Sequence, residues 1–340
     1  MNANNVLAFP GHPIPKTTLS DLINTFQAVE SQENPDADVH LASLQMRDNG
    51  LLAIPDVGEC VLTDWARGQL GQALGFSWDR YFAGASLNER AEDLNRRLAR
   101  AHGVVRLRTT RAKPEGIEGD GVLRAVVSRD YSTVRDSTIA TLLAGGLAKA
   151  EPNARVLRYS TTDLTTSFVV RVGEPYRVGL HGKVGDLWGS LLVRNSGVGY
   201  SKLSVSLHLV RLACMNGMTC PVSLPAIVRT RHRWIDEGEI AVAIHEGLVG
   251  ITDKLRRGAY VLDEAVGQRV DDVDVEVRSV LKTAKLPAKL VRPVLAAYAR
   301  EPHPSRFGVS QAITLASQGE SPELRLMMDD AAGRYLAAVQ

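Results

Sequence analysis

The residues with the clearest potential for chemistry lie in one segment, from Leu187 to Ile235, that carries no aspartate or glutamate. Acidic and basic residues nearly balance over the whole chain, so this window predicts a local face of positive potential. Its cations are Arg194, Lys202, Arg211, Arg229, Arg231 and Arg233. Near the end of the window, the arginines are close in sequence to Trp234. Cations next to an aromatic ring can bind the phosphates of a nucleic acid while the ring stacks on a base. The pattern predicts nucleic-acid binding, and a solvated basic loop is the alternative.

Polar side chains join these cations in the complete set of predicted nucleic-acid-binding residues. The set consists of Arg194, Asn195, Lys202, Arg211, Asn216, Arg229, Arg231, His232, Arg233 and Trp234. A glycine-rich stretch from Asn195 to Tyr200 could also present backbone amides to a phosphate. Because the stretch matches neither a P-loop nor a dinucleotide fingerprint, a hairpin turn between two strands is the favoured interpretation.

Cysteine and histidine suggest a second kind of chemistry in the same region. Cys214, Cys220, His208 and His232 could ligate a metal, but they lack the paired short intervals that are typical of structural zinc sites. We therefore predict no metal and no cofactor. Cys214, His232 and Asn216 would form a thiol hydrolase site if they met in space, although a nucleophile also needs an activating environment. We predict no catalytic residue.

Composition limits the class of protein. The chain has 340 residues, of which 44% are hydrophobic and 23% charged, so it can bury a full core and lies far from disordered compositions. A net charge of +2 indicates no partner by itself. Three cysteines, an odd number, fit a reduced compartment. No secretory signal and no apolar stretch of about 18 residues is present, which predicts a cytoplasmic protein that does not span a membrane.

The elements that position these residues follow from the period of the apolar residues. Before the acid-free window, the spacing predicts helices over Thr63–Leu74, Leu87–Ala101 and Ser132–Lys149, and strands over Val104–Thr109 and Val122–Val127. In and around the window it predicts strands over Arg155–Tyr159, Thr166–Val172, Tyr176–Leu180, Leu187–Arg194 and Lys202–Val210. Their close spacing leaves no room for crossover helices, so the sheet should be largely antiparallel. Helices are predicted again over Gly238–Arg257 and Ser321–Ala338.

This order of elements predicts an α+β fold, with a central antiparallel sheet and helices before and after it. Residues 1–50 mix proline, asparagine and aspartate around one short amphipathic run, Leu19–Val29, and are expected to form a loosely ordered arm with one helix. Residues 51–340 show no repeat and no low-complexity linker. They are expected to form a single domain.

The stretch from Leu191 to Met218 resembles the core signature of a phage and plasmid protein family, domain of unknown function 932. That signature runs from an Asn-Ser-x-x-Gly turn, through a strand, into an Arg-x-x-Cys-x-Asn segment. The matching positions are Asn195, Ser196, Gly199, Arg211, Cys214 and Asn216. Three flanking features agree, namely Ser128 to Tyr131, the Arg231-His232 pair, and Gln311 to Thr314. The resemblance covers about residues 60–335.

What the resemblance implies is a protein of phages, plasmids or their integrated relics. Phage single-strand annealing recombinases, which form rings or filaments, belong to the same setting and combine an antiparallel sheet with basic grooves. The link to them is an analogy of fold, and a fold hosts many functions. It favours a homo-oligomeric protein that acts on DNA.

Three functions compete on this basis. The first is a protein without catalytic activity that binds single-stranded DNA and pairs complementary strands in recombination. The second is a phage protein that binds a host factor through a sheet edge or through the last helix. The third is the thiol hydrolase described above. The sequence favours the first, because the acid-free window supplies cations for the phosphates of a strand. This function needs no cofactor, since annealing requires charge neutralisation and base presentation and no bond breaking.

Overall fold

The computed structural model describes residues 17–113, 115–116, 118–151, 153–178, 185–211, 218–221, 227–233 and 236–338. These residues contain two β-sheets and eleven α-helices. The helices are α1 Leu19–Glu30, α2 Asp64–Ala73, α3 Trp78–Tyr81, α4 Leu87–Leu98, α5 Asp136–Ala150, α6 Glu237–Leu248, α7 Ile251–Gly267, α8 Val273–Thr283, α9 Val291–Arg300, α10 Arg306–Ala316 and α11 Pro322–Ala337. The strands are β1 Ala37–His40, β2 Gln45–Met46, β3 Leu52–Ile54, β4 Gly58–Leu62, β5 Val104–Thr110, β6 Gly121–Ser128, β7 Arg155–Thr161, β8 Thr166–Val178, β9 Gly185–Asn195, β10 Leu203–Arg211, β11 Met218–Pro221 and β12 Val228–Thr230.

The first sheet has the strand order β1-β5-β6-β4-β3-β2, and its β4–β6 pair is parallel. One hydrophobic cluster forms between this sheet and helices α2 and α4, with Leu70, Leu94 and Leu107 fully buried. Helix α4 begins with a capping box, in which Ser86 and Glu89 exchange hydrogen bonds and satisfy two free backbone donors. The sheet therefore has a firm helical layer on one side.

The second sheet has the order β11-β10-β9-β8-β7, and β12 also pairs with β10. Each pair of neighbouring strands in it is antiparallel. One face packs against α1, α5, α6 and α7 in the largest hydrophobic cluster, which includes Phe168, Leu143 and Leu255. On the opposite face, Leu326 of α11 packs against Leu192 of β9. Most of the acid-free window that has a described structure belongs to this sheet, so the packing on its two faces decides which of the predicted binding residues are exposed.

The C-terminal helices α8 to α11 form a third hydrophobic cluster, which includes Val277, Val294, Ile313 and Met328. Helix α11 contributes to this cluster and also covers the second sheet. The helix is consequently buried on two sides. The helix predicted over Ser321–Ala338 is confirmed, but its apolar residues are not confined to one face, and little of it is left exposed for the contact with a host factor that the second hypothesis gives it.

The α+β class is confirmed, with two sheets in place of the one that was expected. The segment predicted as Thr166–Val172 and the first three residues of the one predicted as Tyr176–Leu180 belong to one long strand, β8, whose register shifts between Val172 and Pro175. Residues 179 and 180 lie outside the described residues. The single helix predicted over Gly238–Arg257 is divided into α6 and α7. Gly250 lies between them with a φ of +66°, a left-handed conformation that ends a helix and that glycine adopts at little cost.

Residues 17–50 correct the expectation of a loosely ordered arm. Helix α1 buries Leu22 and Phe26 in the cluster of the second sheet. Strand β1 pairs with β5, with Ala37 opposite Leu107. This segment therefore packs on the second sheet through α1 and adds strand β1 to the first sheet. The first 16 residues of the predicted arm lie outside the described residues. Across those described residues, no helix is both long enough and apolar enough to cross a bilayer.

Candidate nucleic-acid interface

Lys202, Arg229 and Arg231 lie at one edge of the second sheet and are named here the basic edge. Arg229 sits in β12 directly opposite Ser204 of β10, and Lys202 and Arg231 each lie two residues from that pair. Because side chains alternate between the faces of a strand, all three are expected on the same face. All three are exposed. None of them forms an ion pair within the described part of the chain, so their charge is available at the surface.

Arg233 extends the cationic surface but has a carboxylate beside it. It is exposed, and its guanidinium lies 3.1 Å from Asp130. The side chains are 65% and 40% exposed, and exposed ion pairs of this kind contribute little. The backbone of Arg233 also bridges to Tyr131. Arg233 therefore adds less positive potential than the sequence suggests.

Arg194 does not lie on the open surface, which corrects its predicted role. Its side chain is 19% exposed and lies 3.5 Å from Asp330 of α11. The position follows from the register of the sheet, in which Arg194 faces Ser167 on one side and Ser204 on the other. This polar rung runs beneath α11. We conclude that Arg194 anchors the last helix to the sheet.

Asn195 is buried and ties β9 to the start of α5, so it cannot reach a polymer at the surface. It is 2% exposed, and its amide nitrogen donates to Val134 O at 2.9 Å and to Asp136 Oδ1 at 2.7 Å. Burial raises the pKa of Asp136, and the hydrogen bond from Asn195 opposes that shift. The predicted binding role of Asn195 is replaced by a structural one.

Replacing Asn195 by leucine should lower the free energy of unfolding by about 2–3 kcal/mol, because a buried carboxylate and a buried carbonyl would each lose a hydrogen-bond donor. Urea unfolding followed by circular dichroism would measure the change. Asn88→Leu, on the exposed side of α4, is the matched control and should change stability by less than about 0.5 kcal/mol. Equal effects of the two substitutions would contradict the structural role of Asn195.

The glycine-rich stretch forms the turn between β9 and β10, as the hairpin interpretation predicts, and it also contacts α2 and β5 beside the first sheet. Val198 O accepts hydrogen bonds from Trp65 Nε1 and from Gln69 Nε2, both at 2.9 Å. Gly197 O accepts from Arg108 of β5. Gly199 has a φ of +81°, which favours glycine at this position. With these contacts the turn acts as a connector between the sheets.

His232 is also buried, at 5% exposure, which removes it from a surface contact. Its ring stacks on Tyr131, with centroids 5.2 Å apart and an interplanar angle of 27°. Burial lowers the pKa of His232 to about 4, which the backbone of Ser132 partly offsets. His208, on β10, is buried as well, and its pKa is lowered to about 3 by burial and by the charges of Arg158 and Arg194. Both imidazoles are neutral at pH 7.

Other predicted site residues lie outside what the structure describes. These are Asn216, Trp234 and Cys214, and Arg211 is described only as part of strand β10. The thiol hydrolase arrangement therefore stays a prediction. Among the described residues, no group of three or more histidine, cysteine, aspartate or glutamate side chains could hold a metal ion.

Sequence reasoning missed a second cationic cluster, on α4. Arg97 lies over the ring of Tyr81 at 4.2 Å and over that of Phe76 at 5.0 Å, and it pairs with Asp93 at 2.8 Å. Arg96 is 69% exposed beside it. The arginine-rich composition of the helix was visible in the sequence, but the aromatic residues come from α3 and the preceding turn. Only the fold brings the two groups together.

Comparison with known proteins gives no relative. No family model matches the chain, no curated protein matches it, and no solved structure matches it. The resemblance to domain of unknown function 932 therefore stays a prediction that rests on the motif residues alone.

Proposed function

We propose that this chain binds single-stranded DNA through the basic edge and pairs complementary strands, without catalysing a covalent reaction. The observation that carries the proposal is the set of three exposed cations, Lys202, Arg229 and Arg231, that have no counter-charge within the described residues. Cations of this kind release condensed counterions from a nucleic acid when they bind its phosphates. Three such contacts suit a weak, sequence-independent interaction that multiplies in an oligomer.

An exposed aromatic ring beside the basic edge supports a single strand as the ligand. Tyr200 is 39% exposed and lies two residues before Lys202 in the turn between β9 and β10. Trp65 holds its ring in an edge-to-face contact, with centroids 5.1 Å apart. A fixed aromatic ring next to cations can stack an unpaired base, and a duplex offers no such base. Strand pairing is the wider proposal, and the resemblance to a phage and plasmid family supports it.

Binding to a single-stranded oligonucleotide of about 30 thymidines should weaken with salt. Three phosphate contacts predict that the logarithm of the affinity falls with the logarithm of salt concentration with a slope of about −2 per protomer. The triple variant Lys202→Gln, Arg229→Gln and Arg231→Gln should lose at least about tenfold in affinity at low salt and most of that slope. Fluorescence anisotropy would measure both quantities.

A control triple variant should retain binding. Lys282→Gln, Lys289→Gln and Arg292→Gln remove the same charge from exposed positions in and beside α8 and α9. Equal losses in the two triple variants would show that net charge alone matters and would end the proposal, as would no binding at low salt. A strand-pairing assay with two complementary labelled strands then separates binding from annealing.

A protein partner is the second candidate, and β12 favours it. This short strand pairs with β10 and with no other strand that the structure describes, so it could accept an added strand from a partner. Capture of the same host protein before and after nuclease treatment, with no binding to oligonucleotides, would support this alternative against the first proposal.

A further inference from the structure

A cleft of about 550 Å³ lies between the β7–β8 turn and the start of α11. Its floor is the α11-facing side of the second sheet, where Ser160 and Ser167 form a cross-strand pair. Arg158 and Arg325 line it from the sheet and from the helix. The volume lies within the range of pockets that hold small organic ligands. The cleft is separate from the basic edge, because β9 and β10 lie between strands β7 and β8 of the cleft and strand β12 of the basic edge.

The two arginines of this cleft lie near one buried carboxylate, Asp329. Asp329 is 2% exposed, lies 3.4 Å from Arg158 and accepts a hydrogen bond from Ser317 Oγ at 2.9 Å. Arg325 forms no ion pair within the described residues, and its Nε is buried there without a hydrogen-bond partner. Burial lowers the pKa of Arg325 to about 10, and the charge of Arg158 acts in the same direction. The charge of Asp329 partly opposes this shift, although that carboxylate lies beside Arg158.

A guanidinium with a buried nitrogen and no ion pair of its own is costly, and an anionic ligand would remove that cost. Arginine suits this purpose because its planar donors bind a phosphate or a carboxylate through two parallel hydrogen bonds. Three carboxylates, Asp163, Glu320 and Glu323, line the same cleft. None of them forms an ion pair within the described part of the chain, and Glu323 accepts a hydrogen bond from Thr162 Oγ1 at 2.7 Å.

The complementary ligand therefore has both an anionic group and hydrogen-bond donors. A nucleoside monophosphate with an amino group on its base has this distribution, with the phosphate for Arg325 and the amine for the carboxylates. We infer that the cleft between the β7–β8 turn and α11 binds the phosphate monoester of an amine-bearing nucleotide, either free or at the end of a strand. The inference goes beyond the proposed function, because free nucleotide binding requires no part of the basic edge.

Isothermal titration calorimetry on the full chain tests this inference with adenosine monophosphate, cytidine monophosphate, uridine monophosphate and adenosine. The first two should bind, and adenosine should bind at least about tenfold more weakly because it lacks the phosphate. Uridine monophosphate, whose base has no amine, should also bind more weakly than cytidine monophosphate. Equal affinity for adenosine and its monophosphate, or no binding of any monophosphate, would overturn the inference.

Arg325→Met should weaken adenosine monophosphate binding at least about tenfold without lowering the melting temperature of the unliganded chain, because it removes a charge that has no ion pair within the described residues and whose Nε is buried. Arg334→Met, at an exposed position of the same helix, is the matched control and should bind like the wild type. If Arg325→Met does not fold, Arg325→Lys keeps the charge, loses the two-point contact and should also bind more weakly. Wild-type affinity in the folded Arg325 variant would overturn the assignment.

Two further comparisons separate this site from the basic edge. The Lys202, Arg229 and Arg231 triple variant should bind adenosine monophosphate like the wild type. An oligonucleotide with a 5′-phosphate should compete with adenosine monophosphate only if the ligand is the end of a strand, and its 5′-hydroxyl counterpart should then fail to compete. Loss of nucleotide binding in the triple variant would show that the cleft is not an independent site.

Discussion

Acidification from about pH 6.5 to pH 4.5 should remove about 5 kcal/mol of the free energy of unfolding, because His208 and His232 are buried as neutral imidazoles. Their pKa values are lowered to about 3 and about 4, whereas an unfolded histidine titrates near 6.5. The unfolded chain therefore binds more protons than the folded chain in this range. The stabilising contribution is complete above about pH 6.5 and is lost as the pH falls towards the folded values, by about 1.4 kcal/mol per pH unit for each histidine.

Urea unfolding at a series of pH values between about 7.5 and 4.5 would measure this loss. His232→Phe keeps the stacking on Tyr131 and removes one of the two titrating groups, so the dependence on pH should fall to about half. His102→Gln, at an exposed position, should leave the dependence unchanged. A free energy of unfolding that stays constant over this range would contradict the assignment of both buried histidines as neutral.

Protonation of His232 should also affect DNA binding at the basic edge. His232 follows Arg231 directly, and Ser132 N donates to His232 O at 3.1 Å. A protonated His232 would have to leave its buried position beside Tyr131, and the strand that presents the basic edge would lose an anchor. Binding to DNA should therefore weaken below about pH 4, although the charges of Arg229 and Arg231 do not change.

Strands with several residues of regular alternation could be predicted from the sequence, and very short ones could not. Strands β7, β9 and β10 appear in the sequence within about two residues of their observed bounds. Strands β3 and β12 have three residues each and owe their existence to pairing with β4 and β10. Pairing between distant segments is a property of the fold, so local period gives no signal for it.

The sequence predicted which cations belong to the candidate site, but not which of them are exposed or paired with a carboxylate. The acid-free window correctly located the exposed cations Arg229 and Arg231. It could not show that Asp330 pairs with Arg194 and Asp130 with Arg233, since both carboxylates come from outside the window. A run without acidic residues shows only that no carboxylate nearby in the sequence pairs with its arginines. Carboxylates from distant parts of the chain can still reach them when the chain folds.

The second large effect concerns Glu33, which connects the chain after α1 to the first sheet. Its Oε1 lies 2.5 Å from Arg124 Nη1 and its Oε2 lies 3.3 Å from Arg108 Nη2. The three side chains are between 11% and 20% exposed, so the charges are poorly solvated. Glu33→Gln should lower the free energy of unfolding by about 3–5 kcal/mol, because Arg124 would lose its counter-charge within the described residues. Urea unfolding at pH 7 would measure the loss.

Glu59→Gln is the matched control for Glu33→Gln. Glu59 pairs with Arg47 at 2.8 Å, but both side chains are about 40% exposed, so its loss should cost less than about 1 kcal/mol. Adding Arg124→Met to Glu33→Gln should recover part of the lost stability, since the unpaired cation disappears. Because Arg108 also holds Gly197 of the connecting turn, Glu33→Gln should loosen the contact between the sheets. Equal losses for Glu33→Gln and Glu59→Gln would contradict a buried, fold-determining ion pair at Glu33.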